Sequence, residues 1–250
     1  MYRCFRIIPV SFLSMIYASL LYAACDDPPG KGVNWSDCVK QGIDLQGADL
    51  RGAILTRIDL SGAKLVKTKL SGADLSFAKL QNSILRNARM DNVRLLSASL
   101  NDADLSNAIL TNAKLDRAEM ENAVLVNTKL NGASMYQADM LRTNLSRASM
   151  KGVKLSQALM TEANLKDADL GDAILENTQL EEAVLTGANL SEANLTGSNL
   201  LFADLQNSNL YKASLIDANI NEANFDGAIL DKAQWVNRKR CRTGSVGKCD

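Results

Sequence analysis

The sequence contains no histidine. That removes the side chain that most often moves protons near neutral pH, and with it the commonest transition-metal ligand. Serine–histidine and cysteine–histidine catalytic pairs lose their base. Aromatic residues make up only 5% of the chain, too few for a conventional aromatic-rich core. Proline is confined to Pro9, Pro28 and Pro29, so nothing breaks the backbone pattern that follows. No Walker or dinucleotide glycine pattern occurs, and no cofactor is expected. Neither sign of charge dominates, with 28 Lys and Arg against 28 Asp and Glu.

The first residues read as an export signal. Arg3 and Arg6 form a short basic region, Ile7 to Leu21 is mostly apolar, and Ala23–Ala24 supplies small residues for cleavage. The apolar stretch is short for a membrane span and contains Pro9, which argues against an uncleaved anchor. A lipoprotein would carry Leu three residues before the modified cysteine. Before Cys25 that place is held by Tyr22, so the lipoprotein motif is poor. The expected product is exported, to a periplasm or the medium, with residues 1–24 removed and no membrane span left.

Cysteine is absent from the whole middle of the chain. Cys4 lies in the signal, Cys25 and Cys38 lie before the central region, and Cys241 and Cys249 lie after it. Two close pairs in an exported chain suggest two local disulfides. A zinc site is the alternative, but four cysteines at opposite ends of a long rod cannot converge on one ion.

Residues 41 to 235 are thirty-nine pentads in unbroken register, from QGIDL, QGADL and RGAIL to DGAIL and DKAQW. The fifth position is Leu in 30 of them; Met90, Met120, Met135, Met140, Met150, Met160, Ile220, Phe225 and Trp235 fill the rest. The third position is Ala in 28. An α-helix turns about 100° per residue, so a five-residue period smears the leucines over every face. A straight strand throws successive leucines to opposite sides. Within one pentad, however, Ala and Leu are two apart and share a side of an extended segment. Both point inward if the chain turns a corner before the next pentad, and the other positions are rich in the turn formers Gly, Asn, Asp and Ser. The pattern therefore predicts a solenoid with one flat side per pentad, stacked about 4.8 Å per coil.

The motif Ala-(Asp/Asn)-Leu-x-x, as in Ala48-Asp49-Leu50, Ala163-Asn164-Leu165 and Ala193-Asn194-Leu195, resembles the pentapeptide repeat family over 195 of 250 residues. The resemblance implies an all-β fold, a right-handed quadrilateral parallel β-helix. With four sides it would have about ten coils and be on the order of 47 Å long. The expected organisation is a signal at 1–24, an N-terminal cap at 25–40, the β-helix at 41–235 and a C-terminal cap loop at 236–250. Flanks of this kind recur in exported members, which supports Cys25–Cys38 and Cys241–Cys249 pairing.

Four sides place residues twenty apart in columns. Met120, Met140 and Met160 share an interior column, read as core filling. Asn87, Asn107 and Asn127 share a turn column, read as a hydrogen-bonded ladder. Paired carboxylates such as Glu181 and Glu182 fall on a convex solvated face rather than in a cleft.

Charge is the most informative surface feature. Residues 51–100 carry nine basic and three acidic residues, a net of +6, whereas residues 151–235 carry five and thirteen, a net of −8. Lys69 stacks on Arg89 and Arg94 on Lys114; towards the other end Glu162 stacks on Glu182 and Asp172 on Glu192. These eight residues are the candidate docking surface, for an unidentified protein partner or for a second, antiparallel copy in a homodimer. The reading is a non-enzymatic, exported structural or protein-interaction solenoid. Two alternatives are a DNA mimic that occupies a topoisomerase such as gyrase, a role some family members play, and a module that binds envelope polymers. The mimic requires a strongly acidic cytoplasmic rod, and the neutral charge, basic first third and export signal argue against nucleic-acid mimicry. For the polymer module no aromatic platform is stacked: Phe77, Tyr136, Phe202 and Tyr211 are scattered.

Overall fold

A computed structural model describes residues 25–250; the expected signal at 1–24 lies outside the described residues. Each pentad is one short side of a coil. Its first two residues form a turn, the fourth makes a β-bridge, and the unit repeats without interruption from residue 31 to residue 235. Among the described residues there is no α-helix. The bridges are all parallel along the rod and always join residues twenty apart, as in Lys64↔Ile84 and Asp104↔Val124. Twenty residues are four pentads, so the coil has four sides. Residues 41–45 lie on face 1, 46–50 on face 2, 51–55 on face 3 and 56–60 on face 4, and each further twenty residues return to the same face.

The turn explains the corner residues. The N–H of the third pentad residue donates to the carbonyl of the preceding fifth, as Ala48 does to Leu45 at 3.0 Å. The second residue has a left-handed backbone in every pentad from Asp37 to Lys232. A four-residue turn with positive φ at its third residue is type II. Glycine takes that conformation freely, and Asn and Asp tolerate it better than other residues. This accounts for Gly42, Gly62 and Gly72, and for Asn87, Asn107 and Asn127 at φ of 56–60°. The expected ladder of those three asparagines does not form. Their side chains are exposed, and no side-chain hydrogen bond joins them among the described residues. Their place in the sequence reflects backbone conformation.

Coil stacking uses most of the remaining backbone groups. Leu45 N–H donates to Lys64 O at 2.8 Å, Gly47 N–H to Val66 O at 2.9 Å, and Lys64 N–H to Ile43 O at 2.9 Å. One donor per pentad, the N–H of the first residue, has no place in this scheme. A side chain closes it. When the fourth residue of the preceding pentad is Asp or Asn, its Oδ1 accepts from that N–H: Asp59 from Ser61 at 3.1 Å, Asn144 from Ser146 at 3.1 Å, Asp204 from Gln206 at 3.0 Å. The Asp/Asn of the repeat is thus a backbone-satisfying residue.

The interior is a single column of apolar side chains. The leucines at the fifth position and the alanines at the third are almost completely buried through the central coils. Met120, Met140 and Met160 are fully buried within it, as core filling requires. Fully burying each Leu is worth about 1.5–3 kcal/mol. Where Thr replaces Ala, its hydroxyl finds a carbonyl: Thr68 Oγ1 donates to Leu45 O of the coil below at 2.9 Å and Thr178 Oγ1 to Leu155 O at 2.9 Å, whereas Thr143 Oγ1 donates to Met140 O of its own turn at 2.8 Å.

The two ends differ. At the amino end, Trp35 is buried at a fifth position, donates Nε1–H to Asp27 O at 3.2 Å, and has Lys40 Nζ 4.3 Å above its ring. At the carboxyl end the chain reverses. Val246 pairs antiparallel with Ile229, and Arg240 with Gln234, so residues 236–250 lie across the last coil as a lid. Trp235 packs edge-on against Phe225, with ring centroids 5.3 Å apart.

Candidate interaction surface

Both cysteine pairs stand at disulfide distance. Cys25 and Cys38 have sulfurs 1.90 Å apart and Cα atoms 5.6 Å apart; for Cys241 and Cys249 the values are 2.12 Å and 4.8 Å. Cys38 and Cys241 are buried against the first and last coils, so each pair ties a cap to the core. Among the described residues no group of His, Cys, Asp or Glu is placed to hold a metal ion, and no helix is long and apolar enough to cross a membrane.

The candidate docking residues divide into two groups. Lys69 and Arg89 are bridge partners on face 2, and Arg94 and Lys114 are bridge partners on face 3. All four occupy the fourth pentad position, where the side chain points straight out from a flat face. Glu162, Asp172, Glu182 and Glu192 occupy left-handed corner positions instead. Glu162 and Glu182 share the corner between faces 4 and 1, while Asp172 and Glu192 share the corner between faces 2 and 3. The rod therefore brings the eight residues together only in pairs.

Local pairing then reduces the acidic set. Asp172 lies 3.5 Å from Lys151 Nζ, and Glu192 lies 3.0 Å from Lys212 Nζ. That contact raises the pKa of Lys212. Arg94 is drawn to Asp74 of the coil below, at 3.3 Å. Lys69, Arg89 and Lys114 have no carboxylate within 4.0 Å among the described residues. Lys69 and Arg89 line a shallow depression with Arg51, Ser71 and Asp91. In it Arg51 is committed to Asp49 through two hydrogen bonds at 2.7 and 2.8 Å, and Ser71 donates to Asp91 at 2.9 Å.

Other ion pairs follow the same vertical logic. Arg57 donates to Asp37 one coil below at 2.5 and 2.7 Å, and Arg142 pairs with Glu121. The Arg57 guanidinium holds the Asp37 carboxyl below its usual range. At Asp104, burial pushes the carboxyl up, but hydrogen bonds from Ser106 and Arg86 outweigh it and the net shift is downward. These pairs are exposed, so solvent screens them and they add little to stability.

Two residues escaped the linear reading: Lys129 on face 2 and Lys154 on face 3. They continue the Lys69–Arg89 and Arg94–Lys114 columns, separated from them by Ile109 and Ser134. Counting onward in twenties would have found both. A second cluster near the lid has Lys212 and Lys232 at 5.1 and 5.7 Å from the Tyr211 ring.

Comparison with known proteins agrees with this geometry. The profile of the family described as Pentapeptide repeats matches eight copies, over residues 43–76, 73–112, 106–140, 125–162, 163–200 and 198–233. No curated protein matches the chain. Among solved structures, the chain is similar to HetL from the cyanobacterium Nostoc sp. strain PCC 7120, a pentapeptide repeat protein involved in heterocyst differentiation regulation. The identity is 31% over 80% of this chain and 92% of that one, with a TM-score of 0.44. It is also similar to the plasmid-mediated fluoroquinolone resistance protein QnrB1, at 18% identity over 74% of this chain and 87% of that one, with a TM-score of 0.51. A third, Rfr23 from the cyanobacterium Cyanothece 51142, is 34% identical over 45% of this chain and 63% of that one, with a TM-score of 0.28. Proteins of this kind form right-handed quadrilateral β-helices, and with its repeat, its four-sided coil and the profile match, the chain belongs to the pentapeptide repeat family.

Proposed function

We propose that this protein is an exported, non-enzymatic rod that acts by presenting its outer faces to a binding partner. The observation that supports this best is the continuous turn-and-bridge unit between residues 31 and 235. It sets outward side chains in straight columns on convex faces. Such a surface suits extended docking better than the concave pocket that catalysis and small-molecule binding use. Export is supported by the basic-then-apolar start of the chain and by two cysteine pairs at disulfide distance.

Cell fractionation followed by intact mass and a non-reduced peptide map tests the reading. The expected product lies outside the cytoplasm, begins near Cys25 and carries two disulfides. A cytoplasmic product that retains residues 1–24 and reduced cysteines would overturn it.

A further inference from the structure

The charge of this rod is uneven around its girth as well as along its length. Consider the outward fourth positions over five successive rungs. On faces 2 and 3, from Lys69 to Lys154, these ten positions hold Lys69, Arg89, Arg94, Lys114, Lys129 and Lys154, against one carboxylate, Asp74. On faces 4 and 1, from Lys64 to Leu159, the ten equivalent positions hold two cations, Lys64 and Lys79, against Asp104, Glu119 and Asp139. Only Arg94 of the six cations has a carboxylate within 4.0 Å among the described residues.

These cations sit where the fold prefers something else. The fourth position is the one at which Asp or Asn closes the N–H two residues on. With Lys or Arg there, the N–H groups of Ser71, Asp91, Leu96, Asp116, Asn131 and Ser156 have no protein acceptor among the described residues. The chain forgoes the same bond six times on two adjacent faces. Faces 4 and 1 forgo the bond too, at Lys64, Lys79, Ile84, Ser99, Val124 and Leu159, so it is the charge of the replacing residue that sets faces 2 and 3 apart.

The corner between the two rows is low. Its left-handed positions are Gly52, Gly72, Asn92, Asn112, Gly132 and Gly152. The first positions of the same turns are Arg51, Ser71, Asp91, Thr111, Asn131 and Lys151, so the two rows of cations flank a corner of mostly short polar groups whose one carboxylate, Asp91, accepts from Ser71. The patch is not built like a protein–protein interface, whose centre is apolar and aromatic. Ile109 is its one apolar side chain at a fourth position, and no aromatic stands there for stacking single-stranded bases.

We propose that faces 2 and 3 bind a linear acidic polysaccharide, its carboxylates or sulfates meeting the two rows and its hydroxyls meeting the corner. Affinity would come from neutralisation of closely spaced anions with release of their counterions. A polysaccharide is favoured over nucleic acid by the proposed export, so this inference rests on that reading for the nature of the polymer but not for the face.

The test uses the purified protein and a fluorescent polyuronate, a polymer with one carboxylate per sugar. Neutral dextran, duplex DNA and vesicles with anionic headgroups serve as comparators. Three double variants are compared: Lys69→Asn with Arg89→Asn, Lys114→Asn with Lys154→Asn, and Lys64→Asn with Lys79→Asn. All remove two cations, and all install the residue the fold prefers. Binding to polyuronate should weaken with salt, fall about tenfold in each of the first two variants, and change by less than about twofold in the third. Melting temperatures should stay level or rise in all three, which separates lost binding from lost folding. Equal losses in all three variants, no binding to polyuronate, or tighter binding to DNA or vesicles would overturn the proposal. Should the protein prove cytoplasmic while the first two variants still lose polyuronate binding selectively, the face assignment stands and only the export reading fails.

Discussion

Asn209 donates its side-chain amide to Asn189 Oδ1, twenty residues earlier, at 3.2 Å. Asn189 in turn donates to Asp169 Oδ1 at 2.8 Å, which makes a three-rung ladder up face 2. Asn219 and Asn199 form a similar rung at 2.9 Å on face 4. Each asparagine in the ladder still accepts a backbone N–H, as Asn189 does from Ser191 at 3.2 Å. Asn suits these rungs better than Asp because its amide offers both a donor and an acceptor.

Replacing Asn189 by Asp tests the ladder. Two carboxylates would then face each other across one rung, at the position where a donor now sits. The variant should lose about 1 kcal/mol at neutral pH and recover part of it in acid. Chemical denaturation at pH 7 and pH 4 measures the difference. Equal destabilisation at both would mean that the rung carries no electrostatic weight.

Core substitutions should obey packing density. Leu125 and Met140 are both fully buried. Leu125→Ala opens a cavity in a narrow column and should cost about 2–5 kcal/mol. Met140→Leu conserves volume and should cost less than about 1.5 kcal/mol. In a quasi-one-dimensional array the damage is local, so hydrogen exchange should accelerate most in the coils that touch residue 125.

Corner glycines give a graded series. Gly52 has open space around its Cα hydrogen, so Gly52→Ala meets only the cost of φ near +65°, about 1 kcal/mol. At Gly227 an added methyl also runs into Asn207 Oδ1, so Gly227→Ala should cost more. Asn107→Val, with a branched side chain at φ +60°, should be at least as costly as Gly52→Ala. Midpoints of urea unfolding rank the three.

Acid should weaken the amino-terminal coils through Asp49. Its paired hydrogen bonds from Arg51 hold the carboxyl down to about 2, from an ordinary 3.8, with Lys31 adding a smaller pull. A depressed folded pKa gives stability that is complete above the unfolded value and lost as pH falls through the folded one. The loss therefore falls between roughly pH 4 and pH 2. Asp49→Asn should decline less over that window than the native chain, in melts taken at pH 5, 4, 3 and 2.

The cysteine pairs should act on the ends alone. A non-reduced peptide map is expected to show Cys25 with Cys38 and Cys241 with Cys249. Cys241→Ser with Cys249→Ser should free the lid at a cost of about 2–4 kcal/mol. Exchange should rise in residues 225–250 while residues 81–160 stay protected.

Much of this architecture was readable because its period is short and its interior admits few residue types. Ala two places before Leu allows one inward-facing side per pentad, and Met120, Met140 and Met160 met the same demand. The coil pattern begins at residue 31, ten residues before the register becomes legible. There Val33 and Trp35, then Cys38, occupy the inner positions that Ala and Leu hold elsewhere, so the Ala-x-Leu signature is missing although the coil is the same. The asparagines at 87, 107 and 127 misled because one residue type serves two purposes in this fold. At the second position Asn relieves backbone strain; at the fourth it bonds the backbone and climbs the ladder. The basic patch was half visible, since Lys129 and Lys154 join it only once the faces are known.

The lid at residues 236–250 bears on more than the last coil. A parallel stack can accept a further coil only on an edge whose donors and acceptors recur in the parallel spacing. Val246 and Arg240 run the other way against Ile229 and Gln234, and so present the next strand with a mismatched row. In polymer terms the lid is a chain terminator: it lets a sequence with an endlessly repeatable unit make an object of fixed length, and keeps one molecule from seeding a fibre of many.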